Sequence, residues 1–338
     1  MKRVYIGIIA GISLLFLLVT GCNRNRLDVD ISGMELELDI ARFDRELFTM
    51  DLDTVNQAVS YFYNQYGDFY DVFNVHVINI GPASQKHYGS YLSMFVNDPQ
   101  NREVYRETQQ VFPTMEPYEE ELEKAFKRYL HHFPDSAAPS VVAFVSRFNH
   151  KLFTVSRTIG VGLDQYLGRD TRYYDRLRTP EYLQYNQYPG KIPTDVAHVW
   201  GTALFPYNDS LDNVLSRMVY QGILLYFTEA LLPDAPDHVK IGFRPEQLAW
   251  CEENEQRMWE YLVENDLLFS SDPLDIKKLT EDAPYTYYFS RESPGKAAVW
   301  IGWQIVRKYA RRNPGLPVRE IFTETDYQEI LRESRYSP

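Results

Sequence analysis

Two cysteines are all this chain offers for cross-linking, and one of them, Cys22, stands where an uncharged apolar run ends. The run, "VYIGIIAGISLLFLLVTG", covers residues 4–21 and follows the basic pair Lys2 and Arg3. A charged start, an apolar middle and small residues before a cut form the pattern of a secretory signal peptide, here residues 1–21. The competing reading is a retained transmembrane anchor, because the run approaches the ~20 residues needed to span ~30 Å of hydrocarbon.

The end of the run favours cleavage. Val19-Thr20-Gly21-Cys22 resembles the bacterial lipobox: an apolar residue, two small ones and an acceptor cysteine. In that chemistry the thiol takes a diacylglycerol as a thioether, a peptidase cuts before the cysteine, and the new amino group is acylated, with palmitate as a typical chain. Each buried methylene contributes ~0.8 kcal/mol, so two or three acyl chains hold a protein on a membrane almost permanently. Cys22 then becomes the mature N-terminus, and residues 22–33 read as a lipidated polar tether. Cys251 is left without a partner, no intramolecular disulfide can form, and the body must hold itself together by burial. Cys251 itself reads as a small hydrophobe in helical packing rather than a nucleophile. No acidic cluster follows Cys22, which favours a periplasmic face over export to the cell surface.

Burial is within reach: 44% of the residues are apolar and 24% charged, the balance of a globular chain. Aromatics make up 15%, with 26 tyrosines, a residue suited to half-buried positions. The plain reading is a large helical core; the sharper one is a groove for a glycan or peptide. Loss of Lys2 and Arg3 with the leader takes the formal charge from −12 to −14. With no basic stripe to offset it, that charge repels nucleic acid and anionic lipid surfaces.

Patterning gives the fold class: mainly α with a small β-sheet (α+β), in a single domain over residues 34–338. "MELELDI" (34–40), "FNVHVINIG" (73–81) and "SVVAFVSRF" (140–148) read as strands. Val55, Val59, Phe62 and Tyr66 step along one helix face. Asp98-Pro99 starts a helix with a capping side chain and a first-turn proline. Residues 116–132 form another, with Leu122, Phe126, Tyr129 and Leu130 on one face and the acidic "YEEELE" (118–123) toward solvent. Pro193 opens a helix. One of Asn208, Asp209 and Ser210 caps a long one that includes Leu211 and stops before Pro233. Pro245 starts a helix through Trp259, and Pro294 starts one through Arg312.

The usual catalytic signatures are missing. None of the seven histidines pairs with another at i and i+4, the spacing that puts two imidazoles on one helix face for zinc. Gly-x-Ser-x-Gly and Gly-x-x-x-x-Gly-Lys are absent, and "GVGLDQYLG" (160–168) lacks a phosphate-loop lysine. No cofactor is expected.

Three stretches carry a resemblance: "LDIARFDRELF" (38–48), "MVYQGILLYFTEALLP" (218–233) and "SPGKAAVWIGWQIVRKYARRNP" (293–314). Behind a lipobox, they resemble the gliding-motility lipoprotein B family, GldB. The resemblance implies a lipid-anchored cell-envelope protein, held to a membrane through Cys22, whose partners are envelope proteins of a motility or secretion complex. The family also occurs in bacteria that do not glide.

The family is in turn distantly similar to predicted zinc peptidases, which implies a degenerate zincin-like helical domain. Laid over His-Glu-x-x-His, "DVAHVWGT" puts His198 at the first histidine, Val199 at the glutamate and Thr202 at the second histidine, with Gln221 near the distant glutamate. Valine cannot take a proton from water, and threonine and glutamine are poor zinc ligands. His198, Trp200, Thr202, Gln221 and Tyr226 would then mark a vestigial cleft with no catalytic or metal residue. Trp200, Tyr220, Tyr226 and Trp303 read first as core aromatics. The expected function is a non-catalytic, lipid-anchored envelope protein that acts by protein–protein interaction. A zinc-dependent peptidase with atypical ligands and a glycan- or peptidoglycan-binding lipoprotein are the alternatives.

Overall fold

The computed structural model describes residues 26–338, so Cys22 and the expected signal peptide, residues 1–21, lie outside the described residues. Part of the expected tether, residues 22–33, packs on the body. Leu27 is buried, and Arg26 donates to the carbonyls of Ala310 at 2.7 Å, Asn313 at 3.3 Å and Leu316. The last carbonyls of a helix lack partners in their own ladder and carry its negative end, so a guanidinium settles there.

Four strands form a mixed sheet in the order β1-β2-β4-β3: β1 (Ile40–Ala41), β2 (Ser140–Phe144), β3 (Leu152–Val155) and β4 (Thr158–Gly162). The pairs β1/β2 and β2/β4 are parallel, and β3/β4 is antiparallel. The strand expected over residues 34–40 is only Ile40–Ala41. The alternation upstream is real, with Leu36 and Leu38 turned inward, but those residues have no ladder partner. Glu119, expected on a solvated face, accepts the Ile40 N–H at 3.0 Å.

The remainder is largely helical. The helices that matter here are α1 (Phe43–Thr49), α2 (Val55–Tyr66), α3 (Glu116–His132), α4 (Ile192–Leu204), α5 (Val214–Leu231) and α6 (Ala297–Arg312). The expectation for α2 holds, with Phe62 buried. Asp98 caps the helix Pro99–Val111 by accepting from the Gln100 and Asn101 N–H groups. The buried face of α3 is Leu122, Ala125, Phe126 and Tyr129.

Residues 73–81 are not a strand. Phe73–Val77 winds as one π-helical turn after the helix Asp68–Val72. Phe73, Asn74 and Val77 are buried on one side, where Phe73 meets Phe43 at 5.0 Å and Phe144 at 5.8 Å. Aromatic packing here overrides β-branched propensity. The cap of α5 is Asn213, which accepts from the Ser216 N–H; Asn208 caps only the short turn Asp209–Leu211, and Leu211 is exposed. The helix from Pro245 breaks at Asn254 into Pro245–Glu253 and Glu255–Glu264. Helix α6 begins at Ala297 because Lys296 takes a left-handed φ of 49°.

Buried apolar side chains from the sheet and the helices form one contiguous core. At its centre α5 is buried nearly all round. It crosses α6 at glycine on glycine: a Cβ on Gly302 would lie 1.9 Å from the Met218 carbonyl oxygen, and one on Gly222 2.5 Å from the Gly302 carbonyl.

Candidate functional site

The start of α4 builds the floor of a cavity of about 520 Å³. Lys191 and Asp195 stand four residues apart, hence on one helix face. The Lys191 ammonium donates to Asp195 Oδ1 and, at 3.0 Å, to Thr194 Oγ1. From beside β3, Lys151 donates to Asp195 Oδ2 at 2.7 Å and to the Asn186 carbonyl at 3.0 Å. The Tyr166 hydroxyl also donates to Asp195 Oδ2, at 3.0 Å. Burial pushes the Asp195 carboxyl up, but Lys151 and Lys191 outweigh it and hold the group well below the usual range. Burial likewise lowers Lys191, and Asp195 offsets part of that.

One turn along α4, His198 faces the same cavity, and its side chain makes no hydrogen bond among the described residues. Burial first, then the charges on Lys191 and Lys296, lower its pKa to about 4, so the ring is neutral at pH 7. Gln221 of α5 and Lys296 and Val299 at the start of α6 close the opposite side. Lys296 pairs with Asp282 at 2.8 Å. Gln187 is 8% exposed; its Nε2 donates to Gln165, and its Oε1 has no partner. Leu177, Leu183 and Ile241 supply apolar wall.

The cavity is locally cationic in a chain of formal charge −12. Lys151, Lys191, Lys240 and Lys296 face it against Asp195 and Asp282. Lys240 is matched by Asp237 outside the cavity, at 3.3 Å. One positive charge remains in excess.

Of the expected cleft residues, His198 and Gln221 meet here, and Trp200, Thr202 and Tyr226 do not. Helical phase explains the split. Trp200 lies two residues, about 200°, beyond His198, which turns it into the core beside Tyr129. Thr202 lies past the rim, exposed, its hydroxyl spent on the His198 carbonyl at 3.1 Å. Tyr226 is five residues from Gln221 and is buried away from the cavity, as are Tyr220 and Trp303. Cys251 is fully buried, and burial pushes its thiol pKa up. Pattern reading missed Lys151, Gln187 and Asp282, which arrive from separate loops; the Lys191/Asp195 spacing was the one local signal.

Among the described residues no group of three or more His, Cys, Asp and Glu side chains is set to hold a metal ion, and no helix is long and apolar enough to cross a membrane. The family model for the gliding motility protein GldB matches residues 24–338. The chain belongs to the GldB family. No curated protein and no solved structure matches it. GldB membership places the chain among gliding-motility lipoproteins, anchored proteins of the cell envelope. The GldB-like stretches noted above largely build the body: "LDIARFDRELF" carries the Arg42–Asp44 pair and Phe43, and the other two carry Gly222 and Gly302. Gln221 and Leu225 of the second stretch and Lys296 and Val299 of the third bring them to the cavity.

Proposed function

We propose that this GldB-family protein is a non-catalytic lipoprotein, anchored through Cys22 and facing the periplasm, which acts by holding envelope proteins of a motility or secretion assembly. Its acidic surface keeps it off nucleic acid. The observation that carries the non-catalytic reading is the state of the cavity's titratable groups. Its two carboxylates, Asp195 and Asp282, are tied to lysines, and His198 has no partner to orient it as a base. A triad-type nucleophilic mechanism needs its base held by such a partner.

Descent from a zincin-like cleft has its support in His198 and Gln221 facing one cavity from two helices; Val199 and Thr202, at the positions laid over the glutamate and second histidine, lie outside it. Stoichiometric zinc in the purified protein, together with casein cleavage, would overturn the non-catalytic reading. Glycan stacking has weaker support. The aromatic groove beside the cavity is lined by Tyr182 and Tyr185, but Arg169 already covers the Tyr185 ring at 3.8 Å.

The anchor is tested in cells with Cys22→Ser. The variant is expected to leave the membrane fraction and to lose the envelope proteins that wild type retains in a pull-down. Recovery of no envelope partner by wild type, at normal abundance, would count against the proposal.

A further inference from the structure

We propose that the cavity beside α4 receives an acylated amino-acid carboxylate, the group that ends every peptide chain, with the carboxylate at Lys151 and Lys191 and the adjacent N–H at the Gln187 carbonyl oxygen. Two observations point the same way from different residues. The first is charge. The two ammonium groups share one carboxylate, Asp195, which leaves room for one more negative charge. Among the described residues no arginine lines the cavity, so these residues offer no bidentate fork of the kind that favours phosphate. A single excess charge matches a monoanion.

The second is the unpaired Gln187 Oε1. That oxygen is closed off without a donor, which costs free energy that an incoming N–H would recover once the Gln187 amide turns toward the cavity it lines. Lys151 is bonded to the carbonyl of Asn186, the residue before Gln187 in the chain, and Lys151 and Gln187 both line the cavity. Acetate or a fatty acid would satisfy the lysines and leave Gln187 unpaired. An acylated amino acid brings its N–H one carbon from its carboxylate and satisfies both. Its side chain has Leu177, Leu183 and Ile241 to cover it, and His198 and Gln221 are unoccupied for the preceding peptide unit. The cavity volume falls in the range of small-ligand sites.

The inference deepens the non-catalytic binding reading and rests on it. It is tested by calorimetry on the full chain purified in detergent, with N-acetyl-Ala-Ala-Leu, the same peptide as its C-terminal amide, N-acetyl-leucine and inorganic phosphate as probes. The acid is expected to bind at least tenfold more tightly than the amide. Lys151→Gln is expected to lose at least tenfold, and Lys151→Arg to recover most of it. The bound carboxylate should also raise the titration midpoint of His198, followed by its ring proton resonance. Lys191, Lys296, Asp195 and Asp282 face that ring, and new negative charge offsets the two lysines.

A tripeptide much tighter than N-acetyl-leucine assigns the ligand to a chain end, and equal affinities assign it to a free acylamino acid; both uphold the site. Equal binding of acid and amide, preference for phosphate, or no binding by any probe overturns it. Should Lys151→Gln not fold, the acid-against-amide comparison on the wild-type chain still decides. Shortening of the bound tripeptide, read by mass spectrometry, upholds the site and sinks the non-catalytic reading, whereas absence of binding leaves that reading standing.

Discussion

Asp44 is fully buried, and its charge is tolerable there because Arg42 grips both carboxylate oxygens at 2.8 Å while Gln109 donates to one of them at 2.7 Å. Next to it Phe43 makes edge contacts with Phe62, Tyr66, Phe69, Tyr70 and Phe73, with centroids 5.0–5.9 Å apart. The "ARFDRELF" stretch is therefore a packing device, and its charged residues serve the fold. Removing one member of a buried pair leaves the other uncompensated. Asp44→Ala should cost about 3–5 kcal/mol in urea unfolding. A loss below about 1 kcal/mol would show that Arg42 finds water instead.

At the scale of elements, the α5–α6 crossing sets the central spacing of the molecule. Gly302→Ala forces a methyl against the Met218 carbonyl, a backbone atom that cannot swing aside. The expected loss is about 3 kcal/mol or more, the upper range for overpacking, read as a lower denaturation midpoint at unchanged slope. Elements whose ends carry their own chemistry were legible in the sequence: Asp98-Pro99, the apolar face of α3 and the stop before Pro233. Those fixed by distant contacts were not. Phe73–Val77 looks like a strand until Phe43 and Phe144 are placed around it. Asn208 and Asn213 are equally good caps in one dimension, and only the turn between them shows which one serves α5. The cavity was half legible. His198 and Gln221 came from the overlay that the family resemblance implied, whereas Lys151, Gln187 and Asp282 are separated by dozens of residues and meet only in the fold.

Across the whole molecule, buried titratable groups predict how stability follows pH. His132 and His198 are both lowered to about 4, chiefly by burial, with His131 and Arg26 acting on the first and Lys191 and Lys296 on the second. The unfolded chain takes up these protons near pH 6.5 and the folded chain only near 4. Their contribution is thus complete above 6.5 and lost as pH falls toward 4. For His132 this approaches about 3 kcal/mol; His198, open to the cavity, contributes less. Asp164 opposes them. Burial raises it to about 6, so acidification through that range favours the folded state. The melting temperature should fall from pH 7 to pH 4.5, and His132→Leu should flatten the fall; an unchanged slope in that variant would refute the assignment.

The Arg26 clasp also has a bearing on reach. Cys22 and Arg26 are four residues apart, so at ~3.8 Å per Cα step Cys22 can be no more than roughly 15 Å from the Arg26 Cα, whose guanidinium holds the far end of α6. The cavity sits by Val299, eleven residues back along the same rod from Ala310, or roughly 16 Å at 1.5 Å per residue. On the proposed lipid anchor, the tie therefore meets the body beside the C-terminal end of α6, whereas the cavity wall takes Val299 from the other end of the same helix.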